Sequence, residues 1–169
     1  MIQITGDSMT GKELKTKYPF LIPRNRFTDK ICDGIGMTEE EYENWSELDE
    51  MPDGWRKAFG EQMCEEIYQA LLKNGGEEAV NNYRIIQIKE KWGYLHWYDS
   101  NGNAEINSII RKYEDISEKT CIRCGKPATM ISLGWISPFC GDCANELSKN
   151  DYITFSPIDE NPLHEEVLP

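Results

Sequence analysis

The stretch "TCIRCGKPATMISLGWISPFCGDCANE", residues 120–146, holds four of the chain's six cysteines in two pairs. Cys121 and Cys124 have two residues between them, as do Cys140 and Cys143, and fifteen residues from Gly125 to Phe139 separate the pairs. Two such pairs supply four thiolates to a tetrahedral cation with little loop strain, and zinc takes this set at about 2.3 Å per sulfur. Gly125, directly after Cys124, lets backbone amides turn towards the sulfurs, and Gly141 sits inside the second pair. Four thiolates leave no open position for water or substrate, so the spacing predicts one structural zinc ion rather than a catalytic one. The binding free energy of such an ion helps to fold a segment too small for a core of its own.

Between the pairs, "ATMISLGWISPF" reads as a short hairpin turning at Leu133 and Gly134, and "ANELSK" after Cys143 as the start of a helix. A knuckle, a hairpin and a second ligand pair at a helix start resemble the treble-clef or zinc-ribbon class over residues 119–149. The rest divides into an α+β body, 1–118, and a C-terminal tail, 150–169, where Pro157, Pro162 and Pro169 predict no regular structure.

Within the body, "TGKELKTKYPFLIPRNRF" predicts a short helix capped at Thr10 and ending before Pro19, then an apolar anchor of Phe20, Leu21 and Ile22. Thr38 and Glu41 have capping-box spacing, so a short acidic helix is expected there, packed by Trp45. A longer helix is expected over 53–73, capped by Asp53 and ended by Asn74-Gly75-Gly76. Its core stripe is Trp55, Phe59, Met63, Ile67 and Leu71, with Glu61, Glu65 and Glu66 off that stripe and expected to face outward. "YRIIQIKEKWGYLHWYD" reads as a β-hairpin with strands near 83–91 and 94–99, Trp92-Gly93 being either its turn or a bulge. An amphipathic helix follows through Ile106, Ile109, Ile110, Tyr113 and Ile116.

The 169 residues are 39% hydrophobic with five Trp, eight Tyr and five Phe, enough for a packed core and unlike a disordered chain. No apolar run spans a membrane and no secretory leader is visible, so a cytoplasmic, reducing home is expected, where clustered cysteines favour metal over disulfides. Net charge is −12, unevenly spread. Residues 37–82 hold thirteen acids against three basic residues, and 144–169 six acids against one. Such a surface repels phosphate backbones and attracts basic protein surfaces, although plain solubility accounts for it as well. Glu61, Glu65 and Glu66, with Glu39, Glu40 and Glu43, are the candidate partner-binding acids.

The catalytic inventory is thin, and no enzyme is expected. Cys64 lies beside Glu65 and Glu66, whose charge raises a thiol's pKa, and reads as packing. Cys32 and His96 also read as structural, and His164 as solvated. Arg24, Arg26, Arg111 and Lys112 read as partners for surplus carboxylates rather than as a nucleic-acid groove, so no direct nucleic-acid contact is expected.

The stretches "YPFLIPRNRF", "LDEMPDGWRKAFGEQMCEE", "YRIIQIKEKWGYLHWYD" and "YEDISEKTCIRCGKPATMISLGWISPFC", together well over half of the chain, resemble a kind of small reading frame of bacteriophages and prophages of gut Firmicutes. Phages of these hosts carry small, acidic, non-enzymatic inhibitors of defence systems, and the chain is similar to the anti-CRISPR proteins among them, with a zinc module added. The resemblance implies a basic surface of a type II RNA-guided CRISPR nuclease as partner, blocked in target DNA binding or loading within the bacterial cytoplasm. An alternative is a zinc-ribbon adaptor in phage or host transcription, for which a basic face near the ribbon is expected; Arg123 and Lys126 alone make a weak one.

Overall fold

A computed structural model describes residues 8–25, 27–32, 37–150 and 153–160. Arg26, His164 and the tail beyond Glu160 lie outside the described residues. The fold is α+β, with helices packed on two small antiparallel sheets.

Helix α1 (Gly11–Lys17) and helix α2 (Glu39–Asn44) both start at a capping box. Thr10 and Thr38 bond the backbone of Glu13 and Glu41, whose carboxylates bond back. After α1, Phe20 and Leu21 are buried as an anchor. Helix α2 buries none of its own residues; Trp45 is half-buried and ends it as C-cap.

The central helical run begins with α3 (Asp53–Trp55), widens into a π turn (Arg56–Gly60) and continues as α4 (Glu61–Asn82). Its N-cap is Pro52, with no side-chain cap, and Asp53 is the first helical residue, a correction to the expected cap. Trp55, Phe59, Met63, Ile67 and Leu71 are all buried. Apolar residues spaced by four drift about 40° per step around an ideal 3.6-residue helix. The π turn holds more residues per turn, and so brings the first two members of the stripe back towards the core. Gly76, at φ 62° and ψ −157°, breaks the helix where the glycines predict an end. A further helical turn then brings buried Val80 and Tyr83 back to the core.

Strands β1 (Arg84–Lys91) and β2 (Tyr94–Ser100) form the hairpin. Trp92 and Gly93 both have positive φ (60° and 76°), the pattern of a two-residue primed turn, so the tip is a turn. The bulge lies instead between Ile85 and Gln87. Helix α5 (Ala104–Ser117) packs beside β2 and α4. Its core face is Ile106, Ile110, Tyr113 and Ser117, at true helical spacing. Ile116 is one residue off that face and is exposed, a correction to the expected stripe. Ser117 takes the place instead, its Oγ accepting from Leu95 N at 2.9 Å on the free edge of β2.

The cysteine module contributes β3 (Met130–Ser132), β4 (Pro138–Phe139) and α6 (Gly141–Asn150). The tail is not devoid of structure: β5 (Phe155–Pro157) joins β3 in the order β4-β3-β5, followed by a 3-10 turn. Phe155 packs edge-on against Phe139 at 5.2 Å, and Pro157 is tolerated because β5 is an edge strand, where a missing N–H costs nothing. Two hydrogen bonds tie the first cysteine pair to the body. Gly54 N donates to Ile122 O at 2.9 Å, and Trp55 Nε1 donates to Thr120 O at the same distance. At the other end, the Gly93 turn packs against Ile136 O and Pro138.

Candidate metal centre

Each cysteine is placed by a different local device. Cys121 and Cys124 flank a tight turn closed by Gly125 N on Cys121 O (3.0 Å) and Cys121 N on Lys126 O (2.7 Å). Gly125 needs its φ of 81° for that turn, and a Cβ there would lie 2.7 Å from Gly54 O. Cys140 follows β4, and Cys143 lies in the first turn of α6, its N–H directed at Cys140 Sγ at 3.5 Å. Lys126 pairs with Asp142 (3.2 Å) and Arg123 with Glu146 (3.0 Å), so each arm of the knuckle is tied to α6.

The four sulfurs all lie within 4.8 Å of one another, Cys124 and Cys140 at 3.6 Å. A tetrahedral ion with bonds of about 2.3 Å places its sulfurs about 3.8 Å apart. The cluster can therefore hold a metal ion, whereas 3.6 Å is far beyond a disulfide's roughly 2.0 Å. Burial opposes charge on Cys121, yet the backbone N–H groups of Cys140, Cys124 and Arg123 outweigh it and bring its pKa down to about 7. Cys143 is pushed up, chiefly by burial and then by the neighbouring sulfurs. Without a cation the cluster therefore holds back its protons at Cys143 and Cys124, and a bound cation would favour the thiolate form of all four.

The candidate partner-binding acids of α4 require correction. Glu61 accepts from Met9 N at 2.8 Å. Glu65 accepts from Lys17 (2.7 Å), Tyr18 OH (2.6 Å) and Gln69 (2.8 Å). Glu66 takes Lys112 and, at 2.8 Å, Tyr113 OH. All three are half-buried, because α4 has α5 on one side and the α1 segment on the other. The strip left to solvent carries Gln62 and Gln69. On α2, Glu39 and Glu40 are exposed as expected, while Glu43 is exposed but paired with Lys12 at 2.5 Å.

Cys64 is fully buried, and burial first, then Glu61 and Glu65, push its thiol well up. Cys32 is half-buried, its backbone carbonyl accepting from Tyr42 OH. His96 lies half-buried on β2 between Tyr94 and Tyr98. Arg24 pairs with Asp29 (3.8 Å) and Lys112 with Glu66, in keeping with internal pairing. Sequence reasoning missed the contact of Gly54 and Trp55 with the knuckle. Its one local signal was a glycine in the first turn of a helix, directly before the stripe's first tryptophan.

The class that fold and site define is an α+β protein with a four-cysteine cluster able to hold a metal ion. Comparison with protein-family models, curated proteins and solved structures gives no match.

Proposed function

We propose that the protein is a non-enzymatic inhibitor, held together by one structural zinc ion on Cys121, Cys124, Cys140 and Cys143, that binds a basic surface of a type II RNA-guided nuclease and excludes target DNA. The observation that carries the reading is uncompensated charge. Exposed Glu39, Glu40, Glu50, Asp53, Glu77 and Glu78 have no ion-pair partner among the described residues, while Lys12, Lys17, Arg56, Lys73, Arg84 and Lys112 each have one. Such a nuclease keeps its heteroduplex and displaced strand in positively charged channels, which an acidic rigid body can occupy. The identity of the partner rests on the resemblance of the quoted stretches to phage inhibitors. Zinc is supported by the sulfur spacing and by a tetrahedral donor set without an open position. The adaptor reading is weakened because Arg123 and Lys126 are tied to Glu146 and Asp142.

Elemental analysis after gel filtration is expected to give close to one zinc per chain, lost in Cys140→Ser. Titration into a target-cleavage assay is expected to reach its end point at a defined molar ratio. Glu39→Lys with Glu40→Lys is expected to slow association and flatten its salt dependence, with folding and metal content intact. Substoichiometric inactivation, or no complex with the nuclease at low salt, overturns the reading.

A further inference from the structure

The hairpin carries a surface of the opposite character. Its register sets Lys91 opposite Tyr94, Lys89 opposite His96 and Gln87 opposite Tyr98. Ile88, Leu95 and Trp97 are buried on the inner face, so strand alternation turns those six side chains outward. The rings of Tyr94 and His96 meet edge to face at 5.4 Å, and those of His96 and Tyr98 are parallel within 8° at 6.0 Å. Lys89 Nζ lies 5.2 Å from the centroid of Tyr98, a ring 46% exposed.

In a chain of net charge −12, no carboxylate among the described residues pairs with Lys89 or Lys91. Four carboxylates lie around this face, Glu118 beside Tyr94 among them, and the other three accept from neighbouring donors. Glu90 accepts from Gly93 N and Trp135 Nε1, Glu114 from Trp97 N, and Asp115 from Tyr94 OH. His96 registers the local balance: burial lowers its pKa, and Lys89 and Lys91 lower it further against the opposing pull of Glu90 and the Lys91 backbone.

We propose that this face is a contact surface for single-stranded nucleic acid, with Lys89 and Lys91 on phosphates and the rings of Tyr94, His96 and Tyr98 against bases. Lysines interleaved with aromatic rings serve both halves of a nucleotide, whereas an acidic peptide has use only for the lysines. Duplex bases are already stacked and offer such rings nothing. The acids elsewhere make the binding weak and strongly salt-dependent. The inference is independent of the inhibitor reading, since it concerns the protein alone with a nucleic acid strand.

The test is fluorescence anisotropy of a short labelled single-stranded oligonucleotide with the full chain, without any nuclease, from about 50 mM salt upward. Binding is expected with log K falling against log salt at a slope of about −1.4, roughly 0.7 for each of two phosphates. Lys89→Gln with Lys91→Gln is expected to bring that slope near zero, and Tyr98→Ala to weaken binding roughly tenfold. These side chains reach solvent, and thermal melts with metal analysis show that each variant is folded. The imidazole pKa of His96, followed by NMR, is expected to rise when the strand binds. No binding at low salt overturns the proposal. So does poly-glutamate binding as well as the oligonucleotide with Tyr98→Ala unchanged, an outcome that assigns the face to an acidic peptide.

Discussion

Glu65 shows how a residue's neighbours decide its role. Alone on a helix it is one more solvated acid. In the fold its carboxylate takes the ammonium of Lys17, the phenol of Tyr18 and the amide of Gln69, and these partners bring its pKa from 4.5 to about 2. A folded pKa below the unfolded one gives stability that is present above about pH 4.5 and is lost as pH falls towards 2. Glu65→Gln is expected to lower stability at neutral pH by about 1 kcal/mol, a figure kept small because the ion pair is solvent-screened. It is also expected to flatten the acid limb between those pH values. Urea melts across a pH series measure both, and an unchanged acid limb assigns the acid sensitivity to other carboxylates. Tyr18 answers in the opposite sense: burial, then Glu65, raise its phenol to about 12, so it stays a donor throughout.

Elements are decided by pattern where the pattern is local, and by neighbours where it is not. The capping boxes at Thr10 and Thr38, the hairpin strands and the buried stripe of the central helix need only nearby residues, so periodicity and side-chain chemistry make them legible. The π turn does not show in composition; it reconciles a period of four with an α-helix whose first turn must also reach the knuckle. Gly54 marks that meeting, since a Cβ there would lie 2.2 Å from Cys121 O, backbone that cannot move without disturbing the four-cysteine cluster. Gly54→Ala is expected to destabilise the protein by about 3 kcal/mol and to speed metal loss to a chelator. An alanine variant with the parent's midpoint and metal off-rate shows that the knuckle docks loosely.

At the scale of the molecule, two hydrophobic clusters, the body core and the small one around the cysteines, are joined through Trp55. Its ring is fully buried in the body while its Nε1 holds the carbonyl of Thr120, next to a ligand. Removal of a metal held by the four cysteines is therefore expected to reach beyond the module. Chelation should red-shift tryptophan emission and lower the melting temperature cooperatively, and Trp55→Phe should abolish most of the spectral change. A chelated protein with unaltered emission and an unaltered body melt shows that module and body fold independently.

The amino-acid sequence by itself determined the four-cysteine cluster, the caps at Thr10 and Thr38, the hairpin and the excess of acid, because ligand spacing, capping and strand alternation are short-range and each leaves its mark within a few residues. Only the tertiary structure decided which charges remain free. Glu61, Glu65 and Glu66 lie next to the α1 segment and α5, and their hydrogen-bond partners Met9, Tyr18 and Tyr113 are 52, 47 and 47 residues away in sequence. Among the described residues Lys89 and Lys91 have no ion-pair partner, and Glu90 and Glu114 near them accept from Gly93 and Trp97 instead. The place of β5 followed the same rule. Its few residues carry no alternation long enough to read, and what makes them a strand is the open edge of β3, supplied by the cysteine module.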